Sequence, residues 1–194
     1  MARTQAADYD KKREAITEQA ARLFAKNGFA GASVAELAAL CDVSKSLIYH
    51  YYDSKEAILF DVMSAHIDVL LDIAKRESAP DKPPVEELHS LARALLRRYV
   101  GAADMQKVLL YELSSLPKRE RDEIVGKQRD IIASVESILA RAAPKLARDR
   151  ARLRATVMLF FGMLNWTHSW FKASGPISRD DLADMAAETI LRSL

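Results

Sequence analysis

Apolar residues recur along most of this chain three and four positions apart, and no stretch sustains the two-residue alternation of a half-buried strand. That pattern predicts an all-α protein of about nine helices. Ile16, Ala20, Leu23 and Phe24 mark a first helix from about Tyr9 to Asn27, closed where Gly28 can take a left-handed cap. Ser33-Val34-Ala35-Glu36 has the capping-box form and opens a short second helix whose inner face is Val34, Leu37 and Ala38. After a break at Cys41-Asp42-Val43, Ser44 caps a third short helix that runs to Tyr51. Asp42 stands in the turn, and aspartate tolerates the left-handed backbone such a turn uses. Asp53 or Ser54 then starts a long apolar helix ending near Arg76.

Ala79-Pro80-Asp81-Lys82-Pro83-Pro84 is the clearest linker, because proline lacks the amide donor and restricts the residue before it. Beyond it Leu88, Leu91, Ala92, Leu95 and Leu96 form an amphipathic stripe closed by Gly101. A shorter helix follows before Pro117, and a long one runs from there to about Ala142. Pro144 separates this from a helix over about Ala147–Lys172, and Ser178 or Asp181 opens the last one. The expected division is residues 1–55, a helix-turn-helix domain, and 56–194, a ligand-binding and dimerisation domain.

Composition narrows the chemistry. Net charge is only +2, so bulk charge does not announce a nucleic-acid partner, and any such case rests on local arrangement. The single cysteine, Cys41, excludes a disulfide framework and a cysteine-rich zinc site and fits a reducing, cytoplasmic setting. No apolar run approaches the roughly 18 residues that a membrane span needs. His50, His66, His89 and His168 are scattered, with no metal-binding pair and no glycine-rich phosphate loop, so neither metal nor cofactor is expected and a helical enzyme is the weaker alternative.

Residues 33–51 read as two short helices joined by a tight turn, a pairing that serves DNA binding or plain structure equally well. The side chains favour DNA: Ser44, Lys45, Ser46, Tyr49 and His50 gather donors and a cation at the start and on the outer side of the third helix. Ser33-Val34-Ala35-Glu36-Leu37-Ala38 followed by Val43-Ser44-Lys45-Ser46-Leu47-Ile48-Tyr49-His50-Tyr51-Tyr52-Asp53-Ser54-Lys55-Glu56 resembles the DNA-binding signature of the TetR family of transcriptional regulators. The resemblance implies that Ser33 holds a phosphate, that Ser44, Lys45, Ser46, Tyr49 and His50 face a double-stranded operator, and that Lys55 meets a backbone phosphate. Ser46 and Leu47 depart from the glycine and threonine of many members, and Leu47 is expected at a thymine methyl. Tyr52 is expected to pack between helices. The arm residues Arg3, Lys11, Lys12 and Arg13 are interspersed with Asp8, Asp10 and Glu14 and read as either a DNA contact or a solvated terminus.

In the second half, Phe160 to Phe171 is the densest mixture of aromatic and polar residues. Met163, Asn165, Trp166 and His168, with Tyr99, Met105 and Tyr111, are the expected wall of an effector pocket, against the plainer reading of core or dimer contact. Gly162-Met163-Leu164-Asn165-Trp166-Thr167-His168-Ser169-Trp170-Phe171 resembles a family branch of catabolic repressors that respond to acyl-coenzyme A thioesters. That resemblance implies an acyl- or aryl-CoA effector releasing the protein from a palindromic operator, with a multidrug-type sensor as the alternative. Arg141, Lys145, Arg148, Arg150, Arg152 and Arg154 form a basic segment suited to coenzyme A phosphates or simply to solvent. Gly162 on the penultimate helix, and Ala183, Ala186 and Ala187 on the last, are expected at a homodimer interface.

Overall fold

The computed structural model describes residues 2–78, 81–172 and 174–194, with side chains described from Tyr9 onward, so the Arg3 and Asp8 side chains and residues 79, 80 and 173 lie outside the described residues. Among the described residues the chain forms α1 (Ala2–Gly31), α2 (Val34–Leu40), α3 (Lys45–Tyr51), α4 (Lys55–Glu77), α5 (Pro84–Gly101), α6 (Ala103–Tyr111), α7 (Lys118–Ala142), α8 (Arg150–Trp170) and α9 (Arg179–Arg192), with no strand. Short 3-10 turns occupy Leu113–Ser115 and Leu146–Arg148.

Boundaries follow local chemistry. The first helix starts at Ala2 rather than Tyr9, and it resumes after Gly28, whose φ of 73° and ψ of 158° make a kink instead of the expected end. Asp42 adopts φ 53°, the left-handed turn residue the sequence predicts. The eighth helix begins at Arg150 instead of Ala147, because Asp149 accepts a hydrogen bond from the Arg152 amide at 2.9 Å and so caps it there.

By mutual contact the chain groups into two compact units, residues 1–67 with 104–124 and residues 68–103 with 125–194. This grouping places α6 with the N-terminal helices and runs past the division at residue 55 expected from the sequence. In the first unit Phe24, Leu37, Ile48, Ile58, Leu59 and Met63 form the centre of the core, each no more than 2 % exposed. His66 and Gln106 form a buried polar pair, with Nε2 and Oε1 2.7 Å apart, that joins α4 to α6.

The second unit is built around α5, whose Leu88, Leu91, Ala92, Leu95 and Leu96 are fully buried. Glu87 is also fully buried, and Arg141 meets it with two parallel N–H···O bonds of 2.7 and 2.5 Å, so the carboxylate is paired where it has lost its water. Along the α5–α9 contact Arg93 grips Asp184 at 2.7 and 2.6 Å, His89 Nδ1 lies 2.8 Å from the same carboxylate, and Arg97 binds Asp180. Ala183 and Ala187 are fully buried within this unit. The expectation that they face a second subunit is therefore corrected: their small side chains let α9 approach its own neighbours closely.

Candidate nucleic-acid interface and ligand pocket

The capping box expected at α2 is present in both halves: the Glu36 amide donates to Ser33 Oγ at 3.1 Å, and the Ser33 amide donates to Glu36 Oε2 at 2.8 Å. Ser33 is exposed, and its hydroxyl hydrogen is still available to a phosphate. Ser44 caps α3 through the Leu47 amide at 3.1 Å. On this helix Ile48 is fully buried and Leu47 half-buried, so two apolar residues seat it, while Ser44, Lys45, Ser46, Tyr49 and His50 all face outward. Lys45 Nζ lies 5.7 Å from the centre of the Tyr49 ring, and Tyr49 is 46 % exposed. A large aromatic held in solvent beside a cation contributes little to packing and suits a groove wall.

What fixes this helix is a polar cluster behind it. Tyr52, 4 % exposed, donates its hydroxyl to Asp61 Oδ2 at 2.6 Å and lies 2.9 Å from Thr17 Oγ1. Thr17 in turn donates to the same Asp61 oxygen at 2.8 Å, and Arg13 pairs with Oδ1 at 2.6 Å. Burial, reinforced by the Asp61 carboxylate, pushes the Tyr52 phenol up to about 12. The cluster ties α1 and α4 to the end of α3. Arg13 is thereby paired although its side chain stays exposed, so among the described residues Lys11 and Lys12 are the arm cations that have no ion pair.

Lys55 has a second task that the sequence did not announce. Its ammonium donates to the Phe29 and Ala32 carbonyls at 2.6 and 2.8 Å and sits 4.2 Å from the centre of the Phe29 ring. It closes the carbonyl end of α1 with two of its three N–H donors, and the third is still available to a phosphate. The clue in the sequence is faint: a lysine at the first position of a helix looks the same in either task.

The seven residues expected around an effector are not brought together in one unit. Met105 and Tyr111 belong to the first, where Tyr111 lies with Lys26, Lys107 and Glu112 on a cleft beside the Gly28 kink. Tyr99 is buried on α5 in the second unit. Trp166 and Met163 line an open apolar groove of about 560 Å³ along α8 and α9, and Asn165 and His168 lie off it, joined by a 2.6 Å contact between His168 Nδ1 and the Asn165 carbonyl. Met158, Leu159, Trp170 and Met185 complete the exposed apolar wall of the groove, and sequence reasoning missed them. Their signal is a second apolar stripe on α8 at helical spacing, Leu159, Met163, Trp166 and Trp170, beside the buried stripe Val157, Phe160, Phe161 and Leu164. Of the basic segment, Arg141 and Arg154 are paired with Glu87 and Glu136, while Lys145, Arg148, Arg150 and Arg152 are exposed.

Among the described residues no cluster of His, Cys, Asp or Glu is placed to hold a metal ion, and no helix is long and apolar enough to cross a membrane. An all-helical chain with a capped helix-turn-helix at one end is the build of a helical DNA-binding regulator. The model for bacterial regulatory proteins of the tetR family matches residues 16–62, and that for tetracyclin repressor-like C-terminal domains matches residues 81–194. The chain belongs to the TetR family, whose members are transcriptional regulators and not enzymes.

A TetR-family transcriptional regulator from Bordetella parapertussis 12822 is 37 % identical with a TM-score of 0.88, over 92 % of this chain and 93 % of that one. AibR, solved in complex with isovaleryl coenzyme A and operator DNA, is 26 % identical with a TM-score of 0.81, over 92 % and 97 % of the two chains. The HTH-type transcriptional regulator YerO of Bacillus subtilis (strain 168) is 33 % identical over 105 residues, 53 % of this chain and 36 % of that protein. The match thus spans little more than a third of that relative's length.

Proposed function

We propose that the protein is a dimeric repressor that holds a palindromic operator with α3 and leaves it when an acyl- or aryl-coenzyme A thioester binds. The observation that carries the DNA part is the division of α3 into a fully buried Ile48 and an outer face of Ser44, Lys45, Ser46, Tyr49 and His50, a set able to meet phosphates and base edges. Ser33, at the start of α2, adds a phosphate contact from the adjoining helix.

The exposed stripe on α8 supports the dimer. Leu159, Trp166, Trp170 and Met185 are 52–66 % exposed and contiguous with a groove, a patch that a soluble monomer would not keep. A second copy of the same face would cover it, and a two-fold dimer that reads a palindrome needs its recognition helices roughly 34–36 Å apart, one DNA turn. Trp166 and Met163 are accordingly assigned to the dimer face, and Tyr99 is the expected effector residue that burial suits to a closed pocket.

The thioester reading draws on AibR, whose structure holds both isovaleryl coenzyme A and operator DNA. Release requires that the ligand prefer the form that fits DNA less well, and DNA then weakens the ligand by the same factor. The test is to select a duplex from a random pool with the purified protein. That duplex is then titrated with isovaleryl-CoA, free isovalerate and a cationic dye. Release by the thioester alone supports the reading, and release by the dye alone establishes a multidrug-type sensor in its place.

A further inference from the structure

α1 extends well beyond what its core contacts require, and its first described side chain is not loose. The Tyr9 ring lies 4.6 Å from that of Tyr51, at the C-terminal end of the recognition helix, and Tyr51 meets the His50 ring edge-on at 5.5 Å. His50, Tyr51 and Tyr9 therefore form one continuous aromatic run from the outer face of α3 to the opening turns of α1. Tyr9 stays 39 % exposed, so the contact contributes more to orientation than to burial.

One turn further along α1, residue 12 shares the flank of residue 9, and the two positions are roughly 4.5 Å apart along the helix axis. Lys12 occupies it, exposed, with no ion pair among the described residues. Arg13, its neighbour, is consumed by Asp61 and the Tyr52 ring. Lys11 is also exposed but points about 160° away from Tyr9 round the helix. Acidic Asp10 and Glu14 lie on the turns away from this flank, and Asp8, four residues before Lys12 on the same side of the helix, has its side chain outside the described residues.

We propose that Lys12 is an additional DNA-backbone contact, aimed at a phosphate at the edge of the groove occupied by α3, and that Tyr9 is the positioning residue that docks the start of α1 onto the recognition helix through Tyr51. The inference rests on the reading that α3 enters the groove. A phosphate contact of this kind adds affinity without sequence information and makes binding more sensitive to salt.

The test measures affinity for the selected duplex, and for an unrelated duplex of equal length, across a salt series. Lys12→Ala should weaken both by about three- to tenfold at low salt and lower the slope of log affinity against log salt by about 0.9. Lys11→Ala changes net charge equally and should leave the slope unchanged. Tyr9→Ala should reproduce the Lys12→Ala loss with an unaltered thermal midpoint for the rest of the fold, and Tyr9→Phe, which keeps the ring contact, should restore affinity. Equal small losses for the two lysines would mean a bulk charge effect and overturn the proposal, as would full affinity in Tyr9→Ala. If wild type selects no duplex, the α3 reading itself fails. If wild type selects one that Lys45→Ala weakens and Lys12→Ala does not, this inference alone fails.

Discussion

Lys55 and Tyr52 sit three residues apart, and both do their work behind the recognition helix. Replacing Lys55 by methionine should keep the stem but leave the Phe29 and Ala32 carbonyls without their charged donor, at a cost of about 1–3 kcal/mol in urea unfolding. If stability is unchanged while operator affinity falls, Lys55 acts on phosphate alone. Tyr52→Phe should cost about 1 kcal/mol, since it removes the phenol that meets Asp61 and Thr17. Because the folded-state phenol is raised from 10.0 to about 12, the folded protein holds a proton that the unfolded chain releases first. That contribution is whole below pH 10 and is lost as pH rises toward 12, a decline that Tyr52→Phe should lack in an alkaline unfolding series. The packing of Tyr52 was legible in the sequence, as was the left-handed Asp42. The capture of Lys55 was not, because its partners are main-chain carbonyls that no pattern of side chains announces.

Among the elements, those set by caps were the easiest to read and those set by tertiary contact the hardest. The capping box at Ser33 and the cap at Ser44 specify α2 and α3 locally, and the structure keeps both. The last helix shows the opposite. Its alanines look the same whether they approach a partner or α5, and the choice is made by Asp180 and Asp184 pairing with Arg97 and Arg93. Those arginines hold both carboxyls below the ordinary 3.8. The stabilisation is therefore present above about pH 3.8 and is lost as pH falls through the depressed folded values. An Asp180→Asn, Asp184→Asn variant should unfold more easily at pH 7 and show a flatter acid limb in a pH series of thermal midpoints. An acid limb identical to wild type would place α9 docking in its apolar face alone.

At the scale of the molecule, the exposed stripe on α8 predicts that Leu159→Glu, a change on a side chain 66 % exposed, yields a folded monomer by sedimentation at micromolar concentration. Ala186, only 7 % exposed, would confuse assembly with folding. Fold class was legible because periodicity is a property of each helix. The effector site was not, because the residues proposed for it are distributed over two compact units and an outer groove that local pattern cannot tell apart. The claim that organises the whole account is that α3 reads a duplex, and the most direct measurement is fluorescence anisotropy of the selected duplex with wild type and the Lys45→Ala, Tyr49→Ala double variant. Each substitution should cost about 1–3 kcal/mol of binding while circular dichroism and thermal midpoint stay at wild-type values. Full affinity in the folded double variant would contradict the account.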